Sequence, residues 1–268
     1  MELRLAIKLE NSVRKFPLGR HGLIAERKAE GKIKNKLGFV FLLLLANLSL
    51  LLFLRSPFFT IGELSLQGLD KLSTDEVHLA LGIREGANIW KISPLELQER
   101  ISVLPRVDEA EVERVLPDKL LVSIREKYAL ALIPYHGYYL ELAGDGSLIG
   151  IRNNYAGELP LINGLPRGQL NVGSNIKEQS RGKIITAFLS ALKSVPPPPL
   201  AEINVENPEQ IIIYTWDGTE VWLGDKKNLS KKIEVLKGIH AHYFPLSVDA
   251  AGGHLDLRVA ESPVFRPF

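Results

Sequence analysis

Leu104–Glu126 reads LPRVDEAEVERVLPDKLLVSIRE. Leu120, Val122 and Ile124 alternate with Leu121, Ser123 and Arg125, the period of a strand with one buried face. Val107–Val115 precedes them, and Leu116-Pro117-Asp118-Lys119 joins the two runs, so the stretch is a β-hairpin. Upstream, Ser93-Pro94-Leu95-Glu96 is a helix start, with proline at the first helical position, where a missing N–H costs nothing. That helix carries Leu97, Ile101 and Leu104 on one face and halts before Pro105. Further back, Ser73-Thr74-Asp75-Glu76 is a capping box opening a short helix with Val77, Ala80 and Leu81, stopped at Gly82. Phe59–Gln67 is a strand ending at Gly68. The order is β-α-α-β-β, a three-stranded sheet covered by two helices.

Before this module stands LGFVFLLLLANLSLLLFL, Leu37–Leu54, without a charge and bracketed by Lys36 and Arg55. A helix of that length covers about 27 Å, most of a bilayer core. A buried soluble helix would show a polar face, and this one has none. A cleaved signal peptide fits poorly, because the basic region is too long and no small-residue cleavage site follows Leu54. The segment therefore reads as an uncleaved signal anchor. Residues 1–36 hold ten Lys or Arg against four acids, +6 within a chain whose formal net charge is +2. The positive-inside rule puts this basic tail in the cytoplasm and the rest outside, a single-pass type II arrangement. The tail's charge fits orientation and anionic lipid better than nucleic acid. With no cysteine in 268 residues, disulfides and thiolate metal sites are excluded.

The hairpin and its surroundings also carry a likeness. Phe59-x-Ile61, Gly86-Ala87-Asn88-Ile89, Leu104-Pro105-x-Val107-x-x-Ala110-x-Val112-x-Arg114-x-Leu116-Pro117 and Val122-x-Ile124-x-Glu126-x-x-x-Ala129 resemble a POTRA domain of the FtsQ/DivIB cell-division family. The expected fold class is α+β: one N-terminal transmembrane helix, a POTRA domain, then a mixed α/β "β domain" with a mainly antiparallel sheet. The boundaries read as a tail at 1–36, the membrane helix at 37–54, POTRA at 58–127, the β domain at 128–258 and a short C-terminal tail at 259–268.

In the β domain, Tyr138–Leu142 reads as a strand and Gly144-Asp145-Gly146 as a turn. Lys183–Val195 is helical through Ile184, Ile185, Phe188, Leu189 and Leu192, and Pro196–Pro199 reads as a stiff connection rather than a recognition motif. Ile203–Val205 and Ile211–Trp216 are strands, and Asp217-Gly218 turns into a strand at Glu220–Leu223. Lys226–Ile239 is an amphipathic helix, and Leu255–Val259 is the last strand. Gly144-Asp145-Gly146, Leu159–Gly164, Asp217–Gly224 and Asp256-Leu257-Arg258 are similar to motifs recurring in the family's β domain.

Catalytic chemistry is not indicated. His240, His242 and His254 with Asp249 and Asp256 are the nearest approach to a metal cluster, but their spacing suits solvated loop histidines. No Gly-x-Ser-x-Gly elbow or phosphate loop stands in the chain. A carboxylate pair for glycan cleavage depends on distances. The expectation is no cofactor, no metal, no nucleic acid and no small-molecule substrate.

The resemblance implies a division-site scaffold in the cytoplasmic membrane, enriched at the septum. Its partners would be small coiled-coil proteins of the FtsB/DivIC and FtsL types, linked to septal peptidoglycan synthesis. The family's main contact lies on the last strand and just beyond it, which implies Arg258, Val259, Glu261 and Phe265 as partner-binding residues. Arg258 suits a bidentate pair with a partner carboxylate, while Phe265 and Phe268 read equally as a frayed tail. A POTRA-containing transport or secretion accessory protein and a membrane-anchored cell-wall enzyme are the competing readings.

Overall fold

The computed structural model describes residues 21–166, 168–179, 181–194, 200–243 and 252–268. It divides into two compact units, Met1–Phe59 and Thr60–Phe268. In the first, helix α1 runs from His21 to Leu54. Lys36–Leu54 is long and apolar enough to cross a membrane, with mean hydropathy 2.6. The helix begins well before the expected Leu37. Ala, Glu, Arg and Lys in 24–36 favour helix, and no proline stands between Pro17 and Pro57 to stop it. Residues 1–20 of the basic tail lie outside the described residues, as do the prolines at 196–199. After α1, the rings of Phe53, Phe58 and Phe59 pack with centroids 5.1 to 6.0 Å apart.

The second unit opens with the expected β-α-α-β-β module: β1 (Glu63–Gln67), α2 (Thr74–Leu81), α3 (Pro94–Ser102), β2 (Val107–Val115) and β3 (Lys119–Glu126). β3 is central, parallel to β1 and antiparallel to β2. Both helix starts form as the sequence predicts. Ser73 Oγ accepts from the Glu76 N–H at 3.2 Å, and the Glu76 carboxylate accepts from the Ser73 N–H at 3.0 Å. Ser93 Oγ accepts from the Glu96 N–H at 3.4 Å. Val77, Leu81, Leu97, Ile101, Leu120 and Val122 meet in the buried core. Glu126 closes the β1–α2 loop by accepting from the N–H groups of Asp70, Lys71 and Leu72. Burial pushes its carboxyl up, but these bonds and the charge of Arg106 outweigh that and hold it low.

Nine further strands form one sheet: β4 (Ala129–Tyr135), β5 (Tyr138–Ala143), β6 (Leu148–Arg152), β7 (Leu161–Asn163), β8 (Leu200–Asn204), β9 (Ile211–Thr215), β10 (Glu220–Gly224), β11 (Gly253–Asp256) and β12 (Val264–Pro267). Their spatial order is β12-β11-β10-β9-β8-β7-β4-β5-β6. The pairs β10–β11, β7–β8 and β4–β7 are parallel, and the others antiparallel. The sheet is thus mainly antiparallel, as expected. Helices α4 (Gly182–Ser194) and α5 (Leu229–Tyr243) pack on it through Ile185, Phe188, Leu189, Ile233 and Leu236. α5 starts later than Lys226. The Asp225 carboxylate instead holds the Lys227 N–H in a turn at 3.1 Å, and Asn228 takes a left-handed φ of 54°.

The closing segment departs from expectation. β11 ends at Asp256 rather than Val259, because the Arg258 N–H turns back to Asp256 Oδ1 at 3.0 Å. Residues 264–267, read as tail, form β12 antiparallel to β11.

Two charge clusters join the first module to the nine-stranded sheet. Glu141 on β5 accepts from Arg106, which precedes β2, and from Arg152 on β6 at 3.1 Å. Gly150 leaves the room for this, since a Cβ there would lie 2.4 Å from the Arg106 guanidinium and 2.7 Å from the Glu141 carboxylate. Burial pushes the Glu141 carboxyl up, and the two guanidinium groups bring it below its ordinary range. Beside it, Lys127 Nζ lies 2.9 Å from Asp145 Oδ2 and donates to Ser147 Oγ at 3.2 Å. Burial raises the Asp145 carboxyl too, but bonds from Ser147 and Lys127 bring it down to about 2.

A depressed carboxyl contributes stability that is complete above its unfolded pKa and lost as pH falls through its folded pKa. For Asp145 the window runs from the ordinary value of 3.8 down to about 2. Urea midpoints of residues 56–268 should fall across that window, and less steeply in Asp145→Asn. Equal slopes in the two proteins would remove Asp145 from the acid response.

Candidate functional site

The described residues place the expected contact residues at one corner of the sheet, built by β10, β11, β12 and the 257–263 turn. β10 and β11 are parallel with Glu220 beside His254 and Trp222 beside Asp256. Since paired residues share a face, these four side chains lie on the face opposite the buried Val221, Leu223 and Leu255. In β12, Val264 is opposite Asp256, Phe265 opposite Leu255 and Arg266 opposite His254. Val264 and Arg266 therefore extend the outer face, while Phe265 sits on the core side at the rim. All four residues of β12 are exposed. It is the terminal strand of the sheet, and among the described residues no strand pairs with its outer side.

Arg258 is the best organised of the expected residues. Its Nε donates to both Asp256 oxygens at 3.0 and 3.1 Å, and Nη2 donates to Oδ2 at 2.6 Å. The guanidinium carbon lies 5.6 Å from the Trp222 ring centroid, within cation–π range. Gly224, with φ +69°, lets the arginine pass, because a Cβ there would come 3.1 Å from Arg258 Cγ. The Arg258 bond holds the Asp256 carboxyl low against partial burial, helped by the charge of Arg266. Arg258 is raised in return.

Val259 is exposed in the turn. Glu261 does not face the same way as Arg258's carboxylate partner; it pairs with Lys231 on α5, and that bond lowers it. Phe265 covers Gly253, where a Cβ would lie 2.6 Å from the ring. Trp222, Val264 and Arg266 also stand at this corner, and the sequence does not single them out. Of these, only the alternation in Val264–Pro267 is a local signal, and it spans four residues.

Of the histidines named as the nearest approach to a metal cluster, His240 and His254 stand beside different carboxylates. His240 Nε2 lies 3.7 Å from Asp217 Oδ2, and His254 Nδ1 lies 3.3 Å from Glu220 Oε2. The His254 ring packs against Trp222 at 5.5 Å and Phe268 at 4.8 Å. Asp249 and the His242 side chain lie outside the described residues. Among the described residues no three or more His, Cys, Asp or Glu are grouped to hold a metal. This corner presents a terminal strand, an oriented guanidinium and an apolar rim.

Two family models match the chain. The POTRA domain, FtsQ-type, matches residues 59–127, and the cell division protein FtsQ/DivIB C-terminal domain matches 131–258. The cell division protein DivIB of Staphylococcus aureus (strain NCTC 8325 / PS 47) is 25% identical over 227 residues, 79% of this chain and 47% of that protein. The chain thus spans about half the length of that relative. The cell division protein DivIB of Clostridium botulinum (strain Hall / ATCC 3502 / NCTC 13319 / Type A) is 25% identical over 248 residues, 89% of this chain and 93% of that one. A solved structure of the major extracytoplasmic domain of DivIB from Geobacillus stearothermophilus, in its trans isomer, matches at 17% identity with TM-score 0.31. It covers 46% of this chain and 98% of its own.

Proposed function

Since the chain belongs to the FtsQ/DivIB family of cell-division proteins, we propose that it is a non-catalytic scaffold of the division machinery, holding partner proteins at the edge of its nine-stranded sheet. α1 anchors it in the cytoplasmic membrane. The basic residues ahead of the apolar segment keep the N-terminus in the cytoplasm beside anionic lipid, and the Thr60–Phe268 unit works outside, at the septum. The partners are exported segments of the FtsB/DivIC and FtsL types, and their capture serves septal peptidoglycan synthesis.

The observation that carries this reading is the position of β12. A partner strand added to a terminal strand gains main-chain hydrogen bonds, and side-chain neighbours supply selectivity. Pro263 and Pro267 flank the strand centre and carry no N–H, so a ladder there is confined to a short register around Phe265. Val259, Phe265 and Phe268 offer exposed apolar surface beside it. Arg258 meets a partner carboxylate from its Nη1 side, since Nε and Nη2 are on Asp256.

The test is binding of residues 56–268 to the exported coiled-coil segments, by pull-down and calorimetry. Phe265→Asp should weaken binding at least about tenfold, a loss of about 1.4 kcal/mol. Arg258→Glu should weaken it further by reversing the charge beside Asp256. Both variants should keep the wild-type circular dichroism spectrum. Undiminished binding by both would move the interface off this corner, and no binding by the folded wild type would remove the partner assignment.

A further inference from the structure

Three segments converge at one end of the β-α-α-β-β module. Thr60 forms an antiparallel bridge with Asn88. The Ile61 N–H donates to the Ala87 carbonyl at 2.9 Å, and the Gly62 N–H to the Asp118 carbonyl at 2.9 Å. The Arg114 guanidinium donates to the Ile92 carbonyl. The module's first residues, the 87–92 turn and the tip of the β2–β3 hairpin are thereby gathered together.

That hairpin tip exposes apolar side chains beside its turn formers. Turns favour Gly, Pro, Asn, Asp and Ser. Pro117 and Asp118 follow that rule, but Leu116 beside them is 52% exposed and Val115, the last residue of β2, is 42% exposed. Trp90, in the adjoining turn, is 42% exposed, with Lys91 beside it in the chain. Val115 and Leu116, with Trp90 in the turn that Arg114 bonds, give this end of the module exposed apolar side chains with cations at Lys91 and Arg114, while Lys119 is paired with Glu63 at 2.7 Å.

Chain connectivity says what lies near this end of the module. Only residues 55–59 separate Leu54, the end of the apolar helix, from Thr60, where the module begins. Six fully extended steps reach at most about 22 Å. Wherever α1 crosses a bilayer, the Thr60 end of the module stays within that distance of the helix end. Phe58, inside the tether, is itself exposed. Tryptophan and neighbouring lysine or arginine suit the headgroup layer, where an amphipathic ring keeps one side apolar and one side wet. We infer that the Val115–Leu116 tip and Trp90 form a second membrane contact, resting in the interfacial layer of the lipid bilayer that α1 spans. The inference rests on α1 as the membrane anchor.

The chain has no cysteine, so one introduced cysteine takes one spin label. Leu116→Cys, Leu45→Cys and Ile151→Cys would each be made in the full chain, reconstituted in vesicles of phosphatidylethanolamine and phosphatidylglycerol. Leu45 lies in α1, and Ile151 is exposed on β6. Collision with oxygen reports lipid, and collision with a nickel chelate reports water. Oxygen should dominate at Leu45 and Leu116, and nickel at Ile151. Nickel dominating at Leu116 while Leu45 remains in lipid would overturn the membrane contact and leave the anchor standing. Nickel dominating at Leu45 would overturn the anchor, and the inference with it.

Discussion

Glu141→Ala should lower the unfolding free energy of residues 56–268 by about 3–5 kcal/mol, the usual cost of removing one partner from a buried ion pair. The Glu141 side chain is 10% exposed and that of Arg106 15%. The two arginines it receives come from different parts of the chain, Arg106 from the first module and Arg152 from β6. With the carboxylate gone, Arg106 is left charged against Gly150, with the Glu126 carboxylate acting on it through its charge. Glu141→Gln should cost less, because an amide oxygen still accepts one of the two donors. Urea denaturation followed by tryptophan fluorescence reads the difference. A loss under about 1 kcal/mol for Glu141→Ala would mean that water or another carboxylate takes over the arginines. The effect should also be visible locally. The Lys127 N–H bonds the Arg106 carbonyl at 2.7 Å, so the connection between the modules begins where the ion pair sits. Looser seating of Arg106 should speed proteolysis after Lys127 or Arg125 in Glu141→Ala relative to wild type.

The first module was legible because its signals are local. Ser73, Glu76, Ser93 and Pro94 define helix starts within one turn, and the alternation of Leu120, Val122 and Ile124 needs no knowledge of partners. β4 was not legible for the opposite reason. Ala131, Leu132 and Ile133 are consecutive and all buried, so the strand shows no alternation. β7, three residues long, exists through parallel pairing with β4 and β8, and no short-range pattern marks it. β12 depends likewise on β11, which is why Val264–Pro267 read as tail. At the β10–β12 corner, the Asp256–Arg258 pair is two residues apart and open to sequence reasoning. The Trp222 ring under Arg258 is thirty-six residues away and is not. The resemblance groups Glu261 with Arg258, and the Lys231 partner that α5 supplies to Glu261 is thirty residues away in the chain.

The same separation of local from distant causes distinguishes a folding defect from a binding defect. Phe188→Ala should cost about 3–5 kcal/mol, since it empties a fully buried aromatic site in a close-packed core. Phe188 is 1% exposed and belongs to the core that also holds Leu223, Ile233 and Leu255. α4 and α5 lie against the sheet, and among the described residues β12 pairs with β11 alone. The Phe188 cavity therefore weakens the platform without altering any group on the recognition edge. Under conditions where Phe188→Ala is still mostly folded, its affinity for the proposed coiled-coil partners, corrected for the folded fraction, should match wild type within about twofold. Phe265→Asp should show the reverse: a urea midpoint close to wild type and a large loss of affinity, because Phe265 is half exposed at the rim. If Phe188→Ala lost affinity beyond its unfolded fraction, the edge would be set by the packing beneath it, and a rigid preformed β12 would no longer explain recognition.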